Sequence, residues 1–99
     1  MTVRLIGRDT EGELLLDGRL DSNTAPEADE IFTQTAERFD SVVLNMEKLE
    51  YVSSAGLRVL RKLHMTMKRK GGELTLRGVN RMVMEVLEMT GFVCLFRIE

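Results

Sequence analysis

The chain switches repeatedly between two hydrophobic periods, and the switches divide it into short elements. Val3-Arg4-Leu5-Ile6 alternates roughly and predicts a strand. Gly7 to Gly12, with Asp9 and Thr10 inside, is rich in turn residues. Glu13 to Leu20 then predicts a second strand whose Leu14-Leu15-Leu16 centre suits a buried position. From Ala25 the period lengthens to that of a helix: Ala25, Ala28, Phe32, Thr35, Ala36 and Phe39 form one stripe, with acidic residues outside it. Thr24-Ala25-Pro26-Glu27 has the form of a capping box, and Pro26 is tolerated in a first turn whose N–H groups lack helical partners. Ser41-Val42-Val43-Leu44 predicts a third, compact strand.

A second helix follows Ser53-Ser54-Ala55-Gly56 and continues to the neighbourhood of Lys70. Its stripe is Leu57, Leu60, Leu63 and Met67, and Gly71-Gly72 ends it. Leu74-Thr75-Leu76 is a further strand. Asn80 suits the cap of a third helix, with Val83, Val86, Leu87 and Thr90 facing inward and Gly91 closing it. Leu95 to Ile98 is a last short strand. The order β β α β α β α β predicts an α/β fold: a mixed β-sheet covered by amphipathic helices, parallel where helical crossovers join the strands and antiparallel at the opening pair. Residues 1–99 are expected to form a single domain, because a chain of this length buries one core.

Composition narrows the function. At 43% hydrophobic and 30% charged residues, the chain is expected to fold rather than remain disordered. No apolar run approaches the length that spans a bilayer, so no membrane partner is expected. The start, Met1 to Arg8, carries charges where a signal peptide would be apolar, which predicts that the chain stays in the cytoplasm. Cys94 is alone, so no internal disulfide forms, and its neighbours Phe92, Val93, Leu95 and Phe96 predict a small core residue. Most of Met65, Met67, Met82, Met84 and Met89 are expected to fill the core, with Met65 and Met84 off the main stripes.

The net charge of −2 is unevenly spread. Residues 1–50 hold 12 acidic and 5 basic residues; residues 51–99 hold 4 and 9. Six cations, Arg58, Arg61, Lys62, Lys68, Arg69 and Lys70, lie on the second helix. Few aromatics accompany them for base stacking, and the protein is acidic overall, so they read as a solvated face with no nucleic-acid partner.

Catalytic and nucleotide motifs are absent: there is no phosphate loop, no dinucleotide fingerprint, no H-E-x-x-H and no C-x-x-C. One His and one Cys cannot assemble a conventional metal site, and no cofactor is implied. His64 cannot serve as a base for Ser54, because ten helical residues separate them by about 15 Å. His64 is therefore expected at the helix surface or the edge of the core. The chain is predicted not to be an enzyme.

The informative stretch is Tyr51-Val52-Ser53-Ser54-Ala55-Gly56-Leu57-Arg58-Val59-Leu60. Two hydroxyls and two small residues stand where a strand hands over to a helix. Ser53 or Ser54 serves as N-cap. The free N–H groups and positive dipole of a helix start can also hold a phosphate, which makes these serines candidates for phosphorylation.

These residues resemble the STAS domains of anti-sigma factor antagonists. Gly18-Arg19-Leu20-Asp21-Ser22-Asn23-Thr24-Ala25 is similar to the exit of that family's second strand. Tyr51 to Leu60 is similar to its most specific segment, and Val86-Leu87-Glu88-Met89-Thr90-Gly91-Phe92 with Phe96 to its C-terminal signature. The resemblance implies a STAS-type sheet and a switch: the protein sequesters an anti-sigma factor serine kinase and so releases a sigma factor for transcription. It implies phosphorylation of one serine by that kinase, which ends binding, and restoration by a metal-dependent Ser/Thr phosphatase. The acceptor lies two residues before the glycine, which carries over to Ser54, with Ser53 as second choice because its hydroxyl stands where many members have Asp. Asp21 matches the Asp of the loop facing the acceptor. The implied docking surface comprises Asp21, Ser22, Asn23, Thr24, Ser53, Gly56, Leu57 and Arg58, on a protein that is monomeric or weakly dimeric. Asn45 departs from the Asp that often ends the third strand. The alternative is a STAS interaction module in another signalling complex or a lipid-transport assembly.

Overall fold

A computed structural model describes residues 1–99. Five strands form one sheet in the order β1-β2-β3-β4-β5. β1 (Thr2–Arg8) runs antiparallel to β2 (Glu11–Leu20), and β3 (Ser41–Val52), β4 (Glu73–Arg77) and β5 (Arg97–Ile98) continue it in parallel. The crossovers are α1 (Ala25–Arg38), α2 (Ser54–Arg69) and α3 (Arg81–Thr90), the last followed by a 3-10 turn, Phe92–Cys94. The mixed α/β architecture is the expected one.

Register sorts the strands onto two faces. Leu5, Leu14, Leu44, Leu76 and Ile98 stand in one row across all five strands, and Leu14, Leu44 and Leu76 are fully buried. The strand period of two places Glu13, Val43, Thr75 and Arg97 on the opposite face, with Asn45 and Arg77 beyond them. That face carries the pairs Arg77–Glu13 at 3.8 Å and Arg77–Glu99 at 3.4 Å, while Asn45 Nδ2 donates to Glu13 at 3.2 Å. Such solvated pairs contribute about 0–1 kcal/mol each, so the leucine face and its helices carry the stability.

The helical stripes dock as their periods require. Ala25, Ala28, Phe32, Thr35 and Ala36 of α1 are buried, as are Leu57, Leu60, Leu63 and Met67 of α2. Phe39 covers the paired glycines Gly7 and Gly12, where a Cβ on Gly12 would lie 2.6 Å from the ring. The Lys70 ammonium donates to the Ala36 and Phe39 carbonyls, placing a cation on the open C-terminus of α1. Asn80 caps α3: its Oδ1 accepts from Val83 N at 2.8 Å while its Nδ2 donates to Leu49 O at 2.7 Å. Asn80→Ala is expected to lower stability by about 1 kcal/mol, measured by urea denaturation, since it removes this cap and the tie to β3.

Several expectations need correction. β3 does not stop at Leu44. Its register against β2 shifts between Leu15 and Asp17 and again between Gly18 and Arg19, so buried Met46 and Leu49 are three residues apart and the two-residue signal is lost. The Thr24–Glu27 capping box does not form: Thr24 has helical dihedrals and its side chain makes no cap bond to the helix. The last strand does not begin at Leu95: Leu95 follows the Phe92–Cys94 turn with helical dihedrals and only Arg97–Ile98 pairs as β5, so Cys94 is exposed and Phe96 enters the core in its place. Of the helix methionines only Met67 is fully buried; Met82 and Met89 are 58% and 87% exposed, because they lie off the short α3 stripe of Val83 and Leu87.

Candidate functional site

The site forms where β2 and β3 end side by side and α1 and α2 begin. Ser53 N donates to Leu20 O at 2.9 Å, which ties the two strand exits together. The loop after Leu20 is held by its own side chains. Asp21 Oδ1 accepts from Asn23 N at 3.0 Å and Thr24 N at 3.2 Å, and the Asp21 carbonyl accepts from Ala25 N at 2.8 Å. The Asp21 carboxylate thus orders the turn that leads into α1, and its main-chain carbonyl receives the first N–H of the helix. Thr24 Oγ1 accepts from Asp21 N at 2.9 Å and donates to Arg19 O at 2.8 Å, closing the loop onto β2. The Arg19 guanidinium lies 4.3 Å from the Tyr51 ring centroid and 3.7 Å from Asp21 Oδ2. Partial desolvation pushes the Asp21 carboxyl up. The N–H groups of Asn23 and Thr24, the Thr24 hydroxyl and the Arg19 charge outweigh it and hold the acid below its ordinary value.

Ser53 and Ser54 divide two tasks. Ser53 is extended, and its Oγ accepts from Gly56 N at 3.3 Å, so it is the N-cap of α2. Ser54 is the first helical residue; its side chain is exposed and its hydroxyl bonds to no group of the chain. Gly56 lets α2 approach β2: a Cβ there would lie 2.6 Å from Leu20 O and 2.8 Å from Leu20 Cγ.

Between the helix starts runs a shallow groove of about 470 Å³, with Ser22, Pro26 and Asp29 on the α1 side and Ala55, Arg58 and Val59 on the α2 side. Lys62 pairs with Asp29 at 3.0 Å and joins the two helices. The structure thus brings Ser22 and Arg58 to one groove, close to exposed Asn23 and Ser54. Asp21 and Thr24 are turned to their own loop, and Ser53 to its helix. Gly56 and Leu57 are corrections: both are buried, Gly56 against Leu20 and Leu57 on the inner stripe of α2, so neither belongs to the solvent-facing surface.

No side chain of this protein hydrogen-bonds to the Ser54 hydroxyl. His64 is half-buried further along α2 and packs edge-on against Phe96, ring centroids 5.5 Å apart. Burial first, then the charges of Lys68 and Arg61, push its imidazole below the ordinary value. No group of three or more His, Cys, Asp or Glu side chains converges as a metal site would require, and no helix is long and apolar enough to cross a membrane. The Arg19–Tyr51 stack and the Lys62–Asp29 pair had no sequence signal, since strand and helix adjacency alone joins residues about thirty positions apart.

The STAS domain family model matches residues 4–99. A Bordetella bronchiseptica protein carrying the name anti-sigma factor antagonist BtrV is 42% identical over 55 residues, 56% of this chain and 47% of that protein. The chain thus spans about half the length of the curated relative it matches. The crystal structure of TM1081 from Thermotoga maritima superposes with a TM-score of 0.90 at 18% identity, covering 97% of this chain and 84% of that one. The Bacillus cell fate determinant SpoIIAA in its phosphorylated form gives 0.77 at 14% identity, covering 99% and 91%. At such identities the two structures establish the fold.

Proposed function

Because this chain belongs to the STAS domain family, we propose that it is an anti-sigma factor antagonist whose docking is switched by phosphorylation at Ser54. In this reading the neutral form sequesters a kinase-type anti-sigma factor and frees a sigma factor for transcription. The observation that carries it is the exposed Ser54 hydroxyl at the first position of α2, left unbonded because Ser53 caps the helix. Transfer from ATP would form a bond between Ser54 Oγ and the γ-phosphorus, break the bond to the bridging oxygen and release ADP. The hydroxyl proton would pass to a base of the kinase. A metal-dependent phosphatase would return the hydroxyl by hydrolysis.

The name carried by the Bordetella relative and the likeness to a phosphorylated SpoIIAA support this reading. The geometry supports Ser54 over Ser53, whose oxygen already serves Gly56 N. The proposed docking surface is accordingly Ser22, Asn23, Ser54 and Arg58 along the groove, positioned by Asp21, Thr24 and Ser53. Incubation with a kinase-type anti-sigma factor of the same host and ATP, followed by peptide mass spectrometry, should place one phosphate on Ser54 and none on Ser54→Ala. Labelling of Ser54→Ala at the wild-type rate would reject the assignment.

A further inference from the structure

We infer that Arg58 is the intramolecular partner of a phosphate on Ser54, so that phosphorylation withdraws a cation from the docking groove as well as adding an anion to it. This rests on the functional reading above, because it concerns what residue 54 becomes once modified. Arg58 follows Ser54 by four residues on α2, so the two side chains share one helical face, about 6 Å apart along the axis. Both are exposed. The neighbouring cations are already engaged: Arg19 meets Asp21 and Tyr51, and Lys62 meets Asp29. Arg58 lines the groove without an ion pair, although the Asp29 carboxylate lines the same groove.

A hydroxyl gives this guanidinium nothing to hold. Phosphoserine gives it roughly −1.5 to −2 charges and three acceptor oxygens, which the planar fork of an arginine can take through two parallel N–H···O bonds. In the neutral state the donors of Arg58 therefore face the groove, free for a carboxylate on a docking partner. In the phosphorylated state the same donors close on residue 54. The contact joins neighbours on a single helix, so it requires no rearrangement of the sheet.

The test installs phosphoserine at residue 54 during translation and follows the phosphate by ³¹P NMR against pH, in the otherwise wild-type chain, in Arg58→Gln and in Arg58→Lys. The guanidinium favours the dianion, so the wild-type transition should lie about half a pH unit below that of Arg58→Gln, with Arg58→Lys between them. Arg58 is exposed, so the unmodified Arg58→Gln chain should keep the wild-type amide spectrum away from α2. Identical titration of the wild-type and Arg58→Gln phosphoproteins would overturn the inference. Because the phosphate is placed without a kinase, that result bears on Arg58 alone, whereas failure of a kinase to label Ser54 bears on the functional reading.

Discussion

Gly56→Ala is expected to destabilise the protein by about 3 kcal/mol, the upper end of the cost of overpacking, and to lower the melting temperature by about 10–20 °C. The new Cβ would lie 2.6 Å from Leu20 O, 2.8 Å from Leu20 Cγ and 3.1 Å from Val52 Cγ1. Side chains can rotate away, but the carbonyl cannot, and it already accepts from Ser53 N. Relief therefore requires α2 to shift away from the end of β2, which weakens the N-cap and displaces Ser54. Circular dichroism melts of the two proteins decide the matter, and an unchanged melting temperature would refute this close-approach argument. The neighbouring Ala55 lines the open groove, so Ala55→Ser should melt like wild type.

Phosphoserine at residue 54 is expected to weaken docking on the order of 100-fold, equivalent to about 3 kcal/mol, while leaving the fold intact. The unmodified start of α2 is small and neutral, which allows a partner to pack closely over Ser54 and the adjoining groove. The phosphate brings charge and a hydrated shell into that contact, and repulsion and desolvation both oppose docking. The same charge sits at a helix N-terminus, where the dipole favours an anion by about 0.3–1 kcal/mol, so the domain itself loses nothing. Ser54→Asp, with one charge and no tetrahedral shell, should reproduce part of the loss. Both forms should retain wild-type amide dispersion in an NMR spectrum. A collapse of that dispersion would mean that the charge acts by unfolding the domain and not by altering its surface.

The helices were the most legible part of the sequence, because a stripe such as Leu57, Leu60, Leu63 and Met67 has one physical explanation. Asn80 and Gly91 marked the ends of α3 for equally local reasons, a side-chain acceptor and a left-handed residue at φ 79°. β3 was legible only as far as Leu44. Beyond it the shifted register against β2 moves the inward positions out of alternation, and only the pairing partner defines the strand. At the site, the hydroxyl pair at 53 and 54 was legible as a pair but not in its division of labour. That division depends on which residue takes the extended conformation when Ser53 N bonds to Leu20 O, a contact spanning 33 positions. Thr24 left its expected cap role for a similar reason. The Thr24 hydroxyl is engaged by Arg19 O and Asp21 N, and the Asp21 carboxylate holds the Asn23 and Thr24 N–H groups of the turn before α1.

The most direct measurement is a calorimetric titration of a kinase-type anti-sigma factor from the same host with two preparations of this protein, one unmodified and one carrying phosphoserine at residue 54. Tight binding of the first and roughly 100-fold weaker binding of the second is the predicted result. Equal affinities for the two, with both proteins folded, would contradict it.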